Sequence, residues 1–475
     1  MTGFRSLLFF LGMLVLSPVW AVSLNDSGHI SLTRVSEIIQ VKSEADIAAA
    51  LQKAKAKHLP VGIMGVQHSQ GGQSIAPEGI QLNMLPFNQV LNVDAAKKQV
   101  TVQSGITWGK LQEAINPYQL AITAMQSPNI FTVGGSLSVN AHGDDFRMGA
   151  VGNSIVSFSL RLADGRRLRV SPEHHPDLWC AVRGGYGVLG VVTDVTLQLT
   201  DNTLLTSHYN ETLTRTFPDY FRHHILNNRQ VVLFYAHMNI VPNASFLNDM
   251  YVITYTDTGR LPSKVVPLEN PERWNAVLTP LFNVSRNSLY GKHWRWKMEK
   301  RLFKKRYGGK PVTRNNAMEK PVRFAANYRP GTADWLQEYF IPVEQFPSFI
   351  DQLRKLTLSA SIDLLNVTVR YVPAEPDLLL SQVRNDSLSV VLYFNQSLSA
   401  AAIEKTRQWT EKVIDAALAS GGSYYLTYQN FASQSQFEQA YPRFAELKAL
   451  KRQYDKNNRF SNKFYQKYYN LTINT

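Results

Sequence analysis

Residues 61–74, VGIMGVQHSQGGQS, decide how the rest of the chain is read. Val61 to Met64 is a short apolar run with strand character. It ends in a bend that places Gly65, Gly71 and Gly72 around His68 and Ser69. Glycine lets a backbone turn sharply and approach a ligand closely, and consecutive N–H groups in such a bend form a concave anion site. A histidine among them points to a phosphate-bearing cofactor with an imidazole beside its reactive part. A surface hairpin with one solvated histidine is the reading this stretch alone leaves open.

Working outward, residues 43–57 read as a helix. Ser43 can cap it, Asp46 follows three positions on, and Ile47, Ala50, Leu51 and Ala54 share a face. Residues 80–84 read as a strand, 90–93 and 99–103 as a hairpin, and Thr107 as the cap of a helix over 108–115. Residues 131–143, FTVGGSLSVNAHG, carry a second small-residue turn at Gly134-Gly135-Ser136, closed by His142-Gly143. Small residues bring amides against a pyrophosphate; a β-turn with a buried histidine is the alternative. Asp164-Gly165 marks a further hairpin, and residues 177–183 read as a short helix. Gly185, Gly187 and Gly190 spell a formal G-x-G-x-x-G, but they follow that helix and open the strand 191–199. A dinucleotide fingerprint needs the opposite order, so a Rossmann nicotinamide site is excluded.

Beyond residue 200 the texture changes. Strands at 231–235 and 251–255 alternate with polar loops. Residues 286–310 are basic and aromatic, with Lys292, Trp294, Arg295, Trp296, Lys297, Lys300, Arg301, Lys304, Lys305 and Arg306. Such a helix suits an anionic membrane surface, a phosphorylated substrate or a merely solvated face. QEYFIPV (337–343) reads as a strand with Glu338 and Phe340 on one face, and VTVRY (367–371) as one with Thr368 and Arg370 on one face. With a helix at 344–356 and a strand at 390–394, this part is an α+β layer. Residues 443–454 read as a helix, and the tyrosine-rich tail is expected to fold back on the first lobe.

At 475 residues the chain is too long for one core, and two lobes are expected. The formal charge of +14 points to anionic surroundings; neither a nucleic-acid partner nor a metal is expected. Cys180 is the single cysteine, which excludes an intramolecular disulfide. Arg5, the apolar run 7–16, Pro18 and Val19-Trp20-Ala21 read as a secretory signal over 1–21, cleaved after Ala21, with an uncleaved anchor as the alternative. A bacterial periplasm is the expected compartment.

Taken together, GVQHSQGGQS, TVGGSLSVNAHG and GGYGVLGVV, in that order, resemble the vanillyl-alcohol oxidase / p-cresol methylhydroxylase (PCMH-type) family of FAD proteins over about residues 31–201. The first motif is also similar to its cytokinin dehydrogenase form. QEYFIPV, VTVRYV and the C-terminal YPRF…YD pattern look like aldonolactone and alditol oxidases and decaprenylphosphoryl-ribose oxidase. MQSPNI (125–130) lacks the aspartate of cytokinin dehydrogenases, and YYLTYQN (424–430) stands where aldonolactone oxidases carry a histidine–lysine motif.

The resemblance implies a two-lobed α+β, PCMH-type fold. An FAD-binding domain spans 22–201, a separate α+β substrate (cap) domain spans 202–430, and the segment 431–475 returns to the first lobe. It implies that Gly65, Val66, Gln67, His68, Ser69 and Gln73, with Thr132, Val133, Gly134, Gly135 and Ser136, hold FAD, and that Asn140, His142, Gly143 and Val192 lie along it. His68 matches the position of covalent flavin attachment in many relatives. The implied activity is oxidation of a CH–OH group of a sugar, polyol, lactone or lipid-linked sugar by hydride transfer to flavin N5. Arg370 is the candidate to stabilise negative charge. Glu338 is the candidate to orient Arg370 or accept a proton if burial raises its pKa, and Tyr428 is a substitute acid–base group. A structural ion pair between adjacent strands is the alternative for Glu338 and Arg370. A membrane-associated flavin reductase or epimerase component, and a flavin-binding scaffold with little turnover, are the other functional classes.

Overall fold

The computed structural model describes residues 22–286, 288–321, 325 and 329–470; the expected signal segment lies outside them. A short hairpin, β1 (Val22–Leu24) and β2 (Thr33–Val35), leads into a parallel sheet of β3 (Glu37–Gln40), β4 (Val61–Met64) and β5 (Ile80–Asn83), in the order β3-β5-β4. Parallel strands need a crossover, and α1 (Glu44–Lys57) supplies it between β3 and β4. Ser43 accepts from the Asp46 amide while Asp46 answers on the Ser43 amide, so the capping box forms as its spacing suggests. Ile47, Ala50, Leu51 and Ala54 are buried and share an apolar cluster with Val61, Ile80 and Leu82.

The second sheet contains β6 (Val90–Asp94), β7 (Gln99–Gln103), β8 (Leu120–Ile122), β9 (Ile155–Arg161), β10 (Arg167–Val170) and β11 (Val191–Asp201). Its order is β10-β9-β11-β7-β6, with β8 on the far end of β11. Three helices accompany it: α2 (Trp108–Ile115), capped by Thr107, α3 (Val133–Ser138) and α4 (Pro176–Val182). One expectation changes here. Gly134-Gly135-Ser136 is not a turn but the body of α3, because Thr132 Oγ1 accepts from the Gly135 amide at 3.2 Å and nucleates helix. The glycines before β11 serve packing: a Cβ on Gly185 would lie 2.1 Å from the Ala181 carbonyl oxygen, and one on Gly190 2.7 Å from that of Arg161.

The chain then builds an eight-stranded antiparallel sheet from β12 (Leu204–Leu213), β13 (Val231–Met238), β14 (Asp249–Asp257), β15 (Pro311–Thr313), β16 (Thr332–Pro342), β17 (Leu364–Val372), β18 (Ser387–Ser397) and β19 (Ser423–Tyr424). The order is β15-β12-β14-β13-β17-β18-β16-β19. Between strands lie α5 (Phe217–Tyr220), the pair α6 (Asn275–Val284) and α7 (Leu289–Arg306), and α8 (Arg314–Met318). Two long helices, α9 (Phe346–Ala360) and α10 (Ala400–Ala419), pack on each other and on β16. Alternation along β17 sends Val367 and Val369 into the core and leaves Thr368 and Arg370 for the opposite face.

The last helices, α11 (Gln434–Ala440), α12 (Phe444–Tyr454) and α13 (Lys463–Asn470), carry the chain back to the first sheet. Phe460 bridges to Val61 in parallel. Buried Lys451 donates to the carbonyls of Val188 at 2.7 Å and Phe460 at 2.6 Å and pairs with Asp455 at 2.5 Å. A buried charge is tolerated when its hydrogen bonds are filled in this way. These contacts hold β4 against the end of the chain, and the Lys463 amide donates to the Gly72 carbonyl at 3.2 Å.

Candidate active site

A cavity of about 790 Å³ lies between the first lobe and the cavity-facing side of the eight-stranded sheet. Of the expected cofactor residues, Gly65, Val66, Gln67, His68, Ser69, Gln73, Thr132, Gly134, Gly135, Ser136, His142 and Val192 line it. The bend after β4 offers its amides: among the described residues, the N–H groups of Val66, Gln67, His68 and Ser69 donate to no protein acceptor. Four free N–H groups in succession beside a cavity form a concave anion site. A Cβ on Gly65 would stand 2.5 Å from Thr132 Oγ1, and one on Gly134 2.7 Å from Ser104 Cβ. Only glycine lets the bend, α3 and the loop after β7 close on one another. His68 opens into the cavity, edge-on to Phe131 at 5.0 Å, and desolvation by the walls lowers its pKa, which keeps the imidazole neutral.

Four expected cofactor residues do something else. Gln73 lines the cavity, but its amide is committed: Oε1 accepts from the Gly71 amide, and Nε2 donates to the carbonyls of Leu426 and Tyr428. Val133 is wholly buried and gives its N–H to the Ile106 carbonyl. Asn140 is buried behind the wall, where Nδ2 donates to Glu375 at 2.6 Å and Oδ1 accepts from the Gly152 amide at 3.1 Å. Gly143 also lies outside the wall. A Cβ there would stand 1.9 Å from the Met125 carbonyl oxygen, and that close approach accounts for the glycine.

Glu338, Arg370 and Tyr428 do line the cavity. Buried Glu338 accepts from His142 Nε2 at 2.5 Å, Ser389 Oγ at 2.5 Å and Tyr428 OH at 3.3 Å. A carboxylate only accepts, so Nε2 carries the proton. Burial works against the ionised carboxyl, but His142, the hydrogen bonds and the Arg370 charge outweigh it and hold its pKa below the ordinary value. The expectation of a burial-raised base is therefore corrected: Glu338 is a stabilised anion. Burial pushes the Tyr428 phenol well up, as does the Glu338 charge beside it, so it remains a neutral donor to that carboxylate.

The expected pairing of Glu338 with Arg370 is also corrected. β18 runs between β16 and β17, so the two residues are not on neighbouring strands. Arg370 instead faces Asp144 at 3.5 Å, and its Nε has no hydrogen-bond acceptor among the described residues. Asp144 also pairs with Lys320, whose ammonium lies 3.3 Å from the centre of the Tyr235 ring. Burial pushes the Lys320 pKa down to about 8 against the pull of Asp144. Asp144, Lys320, Ser389, His237, Asn366 and Thr368 were not singled out from the sequence. Strand order gathers Ser389, His237, Asn366 and Thr368, and the fold of the connecting loops brings in Asp144 and Lys320.

The basic stretch 286–310 divides in two. Arg286 pairs with Asp334 at 2.6 Å, Lys292 with Asp363 at 2.9 Å, Arg295 with Glu299 at 2.7 Å and Lys300 with Glu211 at 2.8 Å. Those cations belong to the fold. Lys297, Arg301, Lys304 and Lys305 remain exposed, beside exposed Leu289, Tyr290, Trp294 and Leu302. No described helix is long and apolar enough to cross a membrane.

A glycine-lined anion bend in an α+β lobe, roofed by a second sheet whose charged side chains share the cavity, defines a two-lobed nucleotide-cofactor protein. Comparison with known proteins makes the class specific. Residues 35–171 match the family model of an FAD-binding domain, and residues 295–468 match that of D-arabinono-1,4-lactone oxidase. A putative D-arabinono-1,4-lactone oxidase of Neurospora crassa is 32% identical over 160 residues, 34% of this chain and 29% of that protein. L-galactono-1,4-lactone dehydrogenase of Arabidopsis thaliana is 32% identical over 169 residues, 36% and 28% of the two chains. L-gulonolactone oxidase of Mus musculus is 31% identical over 159 residues, 34% and 36% of the two chains. The matched part spans about a third of the length of these relatives. The chain is thus similar to the PCMH-type FAD-binding proteins over its first lobe and to the aldonolactone oxidases and dehydrogenases over its second, and its cofactor is FAD.

The residues present fit that group. Four adjacent unpaired amides suit a diphosphate, and the Arg370 Nε suits an acceptor brought by a ligand.

Proposed function

We propose that the protein oxidises a CH–OH group of a neutral sugar derivative, a lactone or polyol before a lipid-linked sugar. Bound FAD supplies the hydride acceptor at its N5. The observation that carries the reading is the convergence, in one cavity, of the four free amides with Glu338 and Arg370. Arg370 keeps donor capacity for a developing alkoxide or for negative charge on the reduced cofactor. Glu338, ionised and held by His142, Ser389 and Tyr428, fixes the orientation of His142 and balances the Arg370 charge. The walls exclude water and so strengthen both effects. The test is anaerobic mixing with a panel of aldonolactones, polyols and lipid-linked sugars while the flavin absorbance is followed. Bleaching by a member of the panel supports the proposal, and none would leave a scaffold. Oxygen consumption then separates an oxidase from a dehydrogenase. The relatives named above are oxidases and dehydrogenases, which does not favour a reductase or epimerase component.

Three further readings belong here. We infer a covalent flavin bond at His68, supported by its neutral imidazole open to the cavity; flavin lost to the supernatant on acid precipitation would refute it. We infer that α6 and α7 rest on an anionic membrane surface. Exposed Val277, Val284, Leu289, Tyr290, Trp294 and Leu302 beside Lys297, Arg301, Lys304 and Lys305 support this; vesicle binding that salt does not weaken would refute it. We infer a periplasmic location from Arg5 and the apolar run at 7–16, testable by cell fractionation.

A further inference from the structure

The cavity-facing side of the eight-stranded sheet carries a row of side chains that begins at Glu338 and ends at His237, which has no part in the proposed chemistry. Strand register puts His237 opposite Thr368, Thr368 opposite Val391 and Val391 opposite Glu338. All four line the cavity. Neighbouring strands lie ~4.8 Å apart, so three steps span roughly 14 Å from Glu338 to His237. That is about one hexonolactone, end to end, with a hydrogen bond at each end.

The tautomer of His237 is set by its neighbours. Asn366 Nδ2 donates to Thr368 Oγ1 at 3.1 Å, which turns Asn366 Oδ1 toward His237 Nδ1 at 3.0 Å. An amide oxygen accepts, so Nδ1 carries the proton and Nε2 is left with its lone pair. Nε2 makes no hydrogen bond to a described residue. The ring is held in place by stacking on Tyr251 at 5.1 Å. Burial first, and then the nearby charges of Lys320, Arg295 and Arg370, push its pKa down to about 3 against the Asn366 hydrogen bond, so the ring stays neutral. A fixed lone pair of this kind welcomes a hydroxyl and repels a carboxylate or phosphate oxygen.

We propose that His237 is the acceptor for a hydroxyl at the far end of the substrate, and that the row from Glu338 to His237 measures the substrate's length. This rests on the proposed function and narrows it to a neutral polyhydroxy compound about one sugar long that ends in a hydroxymethyl group. Thr368 stands between the ends and contacts the middle of the molecule. His237 is a specificity-determining residue: it reads the end remote from Glu338.

The experiment uses the FAD-loaded full chain with L-galactono-1,4-lactone and its terminal deoxy analogue. Dissociation constants come from calorimetry, and flavin reduction rates are measured separately. The wild type is expected to bind the full lactone on the order of tenfold more tightly, the cost of leaving a buried acceptor unpaired. His237→Leu is expected to bring the two constants within about twofold of one another, and His237→Gln, which keeps an acceptor, to retain part of the preference. A merely structural role would weaken both lactones alike and leave their ratio standing. No preference in the wild type, no binding of either lactone, or an unchanged ratio in His237→Leu would overturn the proposal. Preference in binding without flavin reduction would contradict the oxidation reading and support the role of His237.

Discussion

Glu338→Gln is the perturbation whose size follows most directly from the structure. The carboxylate accepts two short hydrogen bonds, from His142 and Ser389, and a longer one from Tyr428. A hydrogen bond to a charged group contributes about 1.5–3 kcal/mol net, and one between neutral groups about 0.5–1.5 kcal/mol. Neutralising the group therefore costs about 1 kcal/mol at each short bond, and roughly 2–3 kcal/mol once the amide must also turn an N–H toward one former donor. The pH dependence has a fixed sign. The folded-state pKa of Glu338 lies below the ordinary value, so its contribution is fully present above the ordinary carboxyl range and is lost as pH falls through the depressed folded value. Urea unfolding of the wild type and Glu338→Gln should thus differ by that amount at neutral pH, with the gap closing only in the acid range. Equal stability at neutral pH, or a gap that closes already between neutrality and the ordinary carboxyl pKa, would refute the assignment of Glu338 as a stabilised anion.

Other outcomes follow from the same geometry. Arg370→Ala should slow flavin reduction by about a hundredfold in anaerobic stopped-flow, the usual loss when one preorganised donor is removed. Glu375 has its pKa raised to about 7, chiefly by burial. Stability tied to it is full below its ordinary pKa and declines as pH rises to about 7, so Glu375→Gln should gain about 3 kcal/mol relative to wild type across that interval in urea titrations. Lys451→Ala should cost about 3–5 kcal/mol in the same assay, because Asp455 would be left buried and unpaired. Gly65→Ala should weaken FAD binding without unfolding the chain, as the added Cβ meets Thr132 Oγ1 at 2.5 Å and pushes the anion bend off α3.

Much of the first lobe is legible in the sequence because its signals are local. The capping box at Ser43 and Asp46, the Asp164-Gly165 hairpin and the glycine bend after β4 each lie within a few residues, and each forms as its spacing suggests. Local signals also expose the false dinucleotide fingerprint before β11. The same locality misled at α3, where Thr132 converts a glycine pair from turn to helix. The charged part of the cavity is not legible. Alternation along β16 and β17 says which side Glu338 and Arg370 face, but nothing in either strand says that β18 separates them. Asp144 and Lys320 are 176 positions apart and meet only in the fold. The paired cations Arg286, Lys292 and Lys300 were hidden for the same reason, since Asp334, Asp363 and Glu211 come from distant strands and loops.

The central claim is that the bend at Val66 to Ser69 grips the diphosphate of FAD. The most direct measurement is the visible spectrum of the purified full chain, followed by calorimetric titration with FAD of any protein that lacks the cofactor. The account predicts a flavin spectrum, or saturable one-to-one uptake of FAD that Gly65→Ala weakens. A colourless protein that releases no heat with FAD would contradict it.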